Sequence, residues 1–262
     1  MIVCGIVAIV TGLVQQGRAT PQRIISLKPN ITEILFAIGA GDQVVGVTQW
    51  CNMPQEARTR PKVADYLRPN LEAVLALRPD LIITSRENAL RRPIERLEQA
   101  GIALVMVDFS TLDKTLKAIG QIGRRTGHTA EAKALRQQLQ ETVRRYRGSM
   151  SYAPKPALLL VADKPLIAAG PRSLLGELLD IVGGSNVVTA AHPAYPRLGL
   201  EQLLATKPEV IIMSTGQAQA PHVPGGRAMT WRTVVVPVDL LRAGPRLVDG
   251  LAALHTALWE KP

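Results

Sequence analysis

One stretch of this chain occurs twice. Asn70 to Ser85 reads NLEAVLALRPDLIITS and Gly199 to Ser214 reads GLEQLLATKPEVIIMS, identical at eight of sixteen positions. Such a repeat constrains the fold before any motif is weighed, because both copies must form the same supersecondary unit. Each opens with Leu-Glu on a short amphipathic stretch, is broken at Pro79 or Pro208, and continues into an apolar run of strand length. A second pair precedes the first: Thr32 to Val44 reads TEILFAIGAGDQV, and Gly176 to Val188 reads GELLDIVGGSNVV. Both are predicted helices stopped by glycine. Asn30 and Glu33 are expected to close the start of the earlier one as a reciprocal capping box. From Glu33 to Glu72 is 39 residues, against 24 from Glu177 to Glu201, so the first half carries 15 more. The extra residues fall around Trp50, Cys51 and Tyr66, and an insertion on a repeated unit is a usual place for a binding surface.

The halves are not joined by a Gly/Ser- or Pro-rich linker. Residues 129–147 instead carry Ala132, Leu135, Leu139, Val143 and Tyr146 at helical spacing, with Gly148 as the expected stop. Such a helix is about 30 Å long at 1.5 Å per residue, enough to cross one lobe. A single helical strut permits less lobe motion than a hinge of extended strands.

With 47% apolar and 20% charged residues the chain is ordinary globular material. Its net charge of +10 is spread out, and Arg144, Arg145 and Arg147 read as one solvated helical face, so nucleic acid is not an expected partner. Ile2 to Val14 is apolar but too short to span a bilayer, and small residues at Gly17 and Ala19 follow it. This reads as an export leader over residues 1–19, cleaved after Ala19, although no Lys or Arg precedes the apolar run. Cys4 would leave with it, so Cys51 could form no intrachain disulfide.

Catalytic patterns are missing: there is no GxSxG, P-loop, HExxH or GxGxxG. His128, His192, His222 and His255 show no ligand spacing, and no metal site is expected. Only nine residues are aromatic. Phe36, Phe109, Tyr146 and Trp259 fall at core positions, whereas Trp50, Tyr66 and Tyr195 fall in loops, where exposed rings suit a large, flat, partly apolar ligand. Glu72 and Glu201 open their helices, and for one such Glu the helix dipole would be reason enough. Two at matched places point instead to a docking face for a two-fold partner.

The runs RIISLKPNITEILFAIGAGDQVVGVT, NLEAVLALRPDLIITS and VDLLRAGPRLVDGLAAL together resemble the helical-backbone class of ABC-importer substrate-binding proteins, over nearly the whole chain after the leader. That resemblance implies an α/β fold of two Rossmann-like lobes, each a mostly parallel sheet flanked by helices, joined by one long α-helix. It implies a leader over 1–19, an N-terminal lobe over 20–127, a linking helix over 128–148 and a C-terminal lobe over 149–262. It further implies a monomeric periplasmic protein, not an enzyme, that holds its ligand in the inter-lobe cleft. Glu72 and Glu201 would pair with arginines of an inner-membrane permease dimer.

Within the class the likeness is greatest to members that bind cobalamin. Trp50, Tyr66, Tyr195 and the loop Asp239, Leu240, Leu241 and Arg242 match their ligand contacts, without a protein ligand to cobalt. Haem-binding members place an iron-ligating Tyr where this chain has Asp65. Haem or a ferric siderophore is the alternative ligand, and a zinc or manganese importer component a more distant one. A cleft Trp of the cobalamin-binding pattern is replaced by Arg86, and Val182 stands where a disulfide cysteine would be.

Overall fold

A computed structural model describes residues 20–65, 69–86, 91–148, 153–214 and 231–260, with side chains of α3 from residue 95 on. The expected leader with Cys4, and also Tyr66 and His222, lie outside the described residues.

The first half contains β1 (Ile24–Ser26), α1 (Pro29–Ala37), β2 (Val44–Thr48), β3 (Lys62–Ala64), α2 (Leu71–Ala76), β4 (Leu81–Ser85), α3 (Arg91–Gln99), β5 (Ala103–Val107) and α4 (Leu112–Thr126). Its sheet is wholly parallel, in the order β3-β2-β1-β4-β5. After α5 (Thr129–Gly148) come β6 (Lys155–Asp163), β7 (Leu166–Ala168), α6 (Leu174–Ile181), β8 (Gly184–Asn186), α7 (Leu200–Thr206), β9 (Val210–Met213), β10 (Arg232–Val235) and α8 (Leu247–Trp259). The second sheet runs β10-β9-β6-β7, with β8 also on β6, and only β7 is antiparallel. Two mostly parallel sheets flanked by helices is the architecture expected.

The repeated strands share one burial pattern. Leu81 and Ile83 on β4, and Val210 and Ile212 on β9, enter one apolar core shared by both halves. Ile82 and Ile211, one residue over, enter the separate outer cores beneath α2 and α7. Both faces of each strand are covered, so the sequence shows an unbroken apolar run although the backbone alternates by twos. Gly39 and Gly183, matched in the repeat, end α1 and α6 with φ of +83° and +89°, a region closed to most L residues. Arg78 and Lys207, also matched, both have φ of 44°. Each stands before a proline, which bars it from continuing the helix.

The shared core is packed from α1, α4, α5, α6 and α8. The stripe Ala132, Leu135, Leu139 and Val143 of α5 is buried in it, with Tyr146 partly buried at its end. The linking helix is therefore not a bare strut but one wall of a continuous interior. The reciprocal cap on α1 is not formed. Lys28, in an extended conformation, precedes the helix without a side-chain cap, Asn30 donates to the Ala243 carbonyl at 3.3 Å, and Glu33 is drawn off by arginines of the second half. A buried carboxylate gains more from a guanidinium than from one backbone amide.

Helices α4 and α5 meet at Gly123, where an added Cβ would lie 2.3 Å from the Ala132 Cβ and 2.8 Å from the His128 carbonyl oxygen. Gly123→Ala gains about 1 kcal/mol of helix propensity but meets an overpacking cost of about 1–3 kcal/mol. Its thermal unfolding midpoint should fall. A midpoint at or above wild type would show that the two helices part freely.

Candidate functional site

In parallel α/β sheets ligands gather beyond the carboxyl ends of the strands. One cavity of about 470 Å³, lined by Thr20, Gln22, Asp80, Ala103 and Arg124, lies at the opposite end of the first sheet. A second cavity of about 440 Å³ opens where β1 gives way to α1. Lys28, Pro29, Asn30 and Trp50 of the first half form one wall, and Val238, Arg242 and Ala243 of the second half form the other. Its position, not its size, makes it the candidate.

The Trp50 wall is held by a compact polar knot. Thr32 Oγ1 donates to Ser26 Oγ at 2.8 Å, and Thr32 Oγ1 and Thr48 Oγ1 each lie 3.1 Å from Cys51 Sγ. The Trp50 amide donates to Thr48 Oγ1 at 3.3 Å. With Cys51 and both threonines buried, the Trp50 backbone is fixed while its ring remains 51% exposed. The buried thiol is a packing group here, inside a hydrogen-bonded pocket.

The opposite wall is held by charge. Glu33, only 5% exposed, accepts two parallel hydrogen bonds from Arg246, Nε to Oε2 at 2.9 Å and Nη2 to Oε1 at 2.7 Å. Arg242 Nη1 reaches the same Oε1 at 3.3 Å and Asn52 Oδ1 at 3.4 Å, while its Nη2 pairs with Asp239 Oδ1 at 2.5 Å. Two carboxylates thus face two guanidiniums in a part-buried cluster whose formal charges balance. The Glu33 hydrogen bonds raise the Arg246 pKa above its ordinary value, against the opposing effect of burial.

The structure brings Trp50 and Arg242 to one cavity, with Asp239 bound to Arg242. Leu240 is half-buried beside them, and Leu241 is buried in the shared core. Tyr195 is 47% exposed, on a segment tied to β7 by Gly170 and Ala168 amides donating to the Ala194 and Pro196 carbonyls. It is not among the described lining residues of the cavity. Glu72 and Glu201 are exposed in the first turns of α2 and α7. Sequence reasoning missed Lys28, Pro29, Val238 and Ala243 as lining residues, and Glu33 with Arg246 as their support. The Gly-Pro-Arg preceding α8 was the available signal for Arg246. Among the described residues no cluster of three or more metal-binding side chains occurs.

Residues 24–230 match the periplasmic binding protein family. The chain belongs to that family. A vitamin B12-binding protein of Photorhabdus laumondii is 31% identical over 237 residues, spanning 88% of this chain and 85% of its own length. One from Yersinia pestis is 30% identical over 234 residues, spanning 87% and 82%. Among solved structures, the periplasmic vitamin B12 binding protein of Vibrio cholerae superposes with a TM-score of 0.79 at 28% identity, covering 91% of this chain and 97% of its own. A periplasmic heme binding protein of Pseudomonas aeruginosa superposes with a TM-score of 0.81 at 27% identity, covering 91% and 93%. These relatives are binding proteins.

The loop between β5 and α4 carries a titration signature. Burial acts to raise the Asp108 pKa, but hydrogen bonds from Ser110 and Lys114 outweigh it and bring the value from 3.8 down to about 2. The folded pKa is depressed, so Asp108 stabilises the fold fully above about pH 4, and that contribution is lost as pH falls toward 2. Acid unfolding of Asp108→Asn should therefore lack part of the wild-type pH dependence in that window. An identical profile for both proteins would show that the bent β5–α4 loop does not depend on the carboxylate.

Proposed function

We propose that this chain is the solute-binding component of an ABC importer and carries a cobalamin in its inter-lobe cleft. The observation that carries the reading is the cavity shared by Trp50 and Arg242, one from each half, at the carboxyl end of β1. The vitamin B12-binding relatives supply the ligand class. A cavity of about 440 Å³ takes one edge of so large a ligand, leaving its remainder over the open cleft. There the exposed rings of Trp50 and Tyr195, together with Tyr66, Leu240 and the Asp239–Arg242 pair, are proposed contacts. Leu241 would serve from beneath, by packing the loop. The protein works as an exported monomer, its leader removed before Thr20, and performs no chemistry on its cargo.

Haem is the second reading, favoured by the Pseudomonas aeruginosa heme binding protein among the structural relatives. Calorimetry with cyanocobalamin and with haemin separates the two. Cyanocobalamin should bind 1:1, and Trp50→Ala should weaken it by about 1–3 kcal/mol, the cost of losing a buried aromatic contact. Heat from haemin alone, with an axial-ligand absorption band lost in Tyr66→Phe, would replace cobalamin by haem.

Delivery is proposed to run through α2 and α7. Each presents Glu, then Leu three residues on, then Ala along its exposed stripe: Glu72, Leu75 and Ala76, and Glu201, Leu204 and Ala205. Leu75 is 47% and Leu204 36% exposed, although each lies on a short helix whose other leucines pack inward or sit at its end. Paired charges would guide encounter with a two-fold permease, and the adjoining leucines would be covered on contact. Glu72→Ala with Glu201→Ala should leave cyanocobalamin affinity unchanged while abolishing uptake into permease-containing vesicles. Leu75→Ser with Leu204→Ser should weaken uptake without removing its salt dependence. Normal transport by the double Ala variant would return both glutamates to the role of helix-terminal charges.

A further inference from the structure

Glu33 and Glu177 occupy the same position in the two halves of the repeat, the second residue of TEILFAIG and of GELLDIVG. Neither serves its own lobe. Glu33, on α1, crosses to Arg246, the residue that precedes α8. Glu177, on α6, crosses to the amide of Leu112, the first residue of α4, which it accepts at 2.6 Å. The targets correspond as closely as the sources, since α4 follows the last strand of the first sheet and α8 the last strand of the second. We infer that Glu33 and Glu177 form a pair of quasi-equivalent clasps, each closing one lobe's first helix onto the start of the other lobe's last helix. In the substrate-binding reading proposed above, on which this rests, they are the positioning residues that hold the cleft at its binding width before ligand arrives.

Three features support positioning rather than simple cohesion. Both acceptors engage groups that their own helices leave unsatisfied or cannot satisfy. The Leu112 amide belongs to the first turn of α4, where Thr111 Oγ1 is already taken by the Lys114 amide, so Glu177 completes that cap from the other lobe. On the first clasp, Glu33 Oε1 serves Arg246 and Arg242 together, so the clasp also aims the guanidinium that lines the cavity. Finally, α4 packs on α1 and on α6, and Asn30 donates to the Ala243 carbonyl, so the two clasps bracket one continuous interface. The clasps differ in chemistry. A guanidinium fork fixes orientation at the cavity wall, whereas a single backbone N–H donating to Glu177 fixes separation behind it.

A rigid apo cleft has a kinetic signature. If only a fraction of apo molecules had the binding width, apparent affinity would fall by that fraction, and chiefly through association. The test uses nitroxide pairs on exposed positions of the two lobes, introduced as Gln55→Cys and Lys164→Cys, with pulsed dipolar distance measurement on ligand-free protein. Stopped-flow binding of cyanocobalamin to the unlabelled protein gives the rates. Wild type should show one narrow distance distribution. Glu33→Gln and Glu177→Ala should each slow association less than threefold. Together they should broaden the distribution and slow association at least tenfold, with dissociation changed much less. Glu177→Gln keeps an acceptor oxygen and should restore the narrow distribution in the Glu33→Gln background. Should Glu33→Gln fail to fold, Glu33→Met with Arg246→Met removes the ion pair while keeping its volume and is measured in its place. A double variant with a distribution as narrow as wild type overturns the inference. So does an affinity loss confined to dissociation. Absence of cyanocobalamin binding by wild type would instead refute the ligand reading, and the distance measurement would still decide the clasps.

Discussion

A carboxylate taken almost wholly out of water must find compensating charge, because its desolvation costs several kcal/mol that no apolar contact returns. Glu33 is such a group, and its compensation comes from Arg246 and Arg242, more than two hundred residues away in sequence. The first helix of one half and the last loop of the other are therefore bound together electrostatically. A buried ion pair contributes little net stability compared with a well-packed apolar pair, but it tolerates few geometries. The consequence is geometric. Residues 238–243 are laid against the β1–α1 turn at a fixed approach, and the cavity between them takes its shape from that approach.

Around this charged cluster the apolar core supplies the cohesion. One cluster of buried side chains runs from Ile24 and Ile83 of the first sheet, through Leu135 and Leu139 of α5, to Leu159 and Ile212 of the second sheet. Bending the lobes apart would open that cluster at about 25 cal/mol for each Å² of apolar surface exposed. Extended-strand hinges carry no such cost, because their lobes have separate cores. The single helical connection thus matters less as a rod than as a contributor of apolar surface to both lobes. A cleft built this way loses little entropy when it takes a ligand.

Much of this was legible in the sequence, and the reason is physical. The paired segments carried their own strand, stop and turn chemistry, so local rules located α2, β4, α7 and β9 without tertiary information. The helix ends at Arg78 and Lys207 follow from the proline after each, although their left-handed φ does not. Trp50 was legible as a loop ring because an aromatic there has no helical or strand period to satisfy. What failed was any role that depends on a distant partner. Asn30 and Glu33 have the spacing of a capping box, and an isolated peptide would use it, but two arginines from the other half outcompete one amide. Leu241 could not be told from Leu240 by residue type, since a turn of 3-10 helix sends one into the core and leaves the other half exposed.

The repeat also places four glutamates in two different environments. Each half offers an inner helix, α1 or α6, and an outer helix, α2 or α7, on opposite faces of its sheet. The inner pair carries Glu33 and Glu177, which are turned toward the other lobe and occupied there. The outer pair carries Glu72 and Glu201, which remain exposed. Four glutamates at two repeated positions thus differ in engagement, and in the proposed reading the engaged pair would hold the lobes while the exposed pair would meet a permease. Because a sheet lies between the two sets, a substitution on the outer helices need not disturb the cleft.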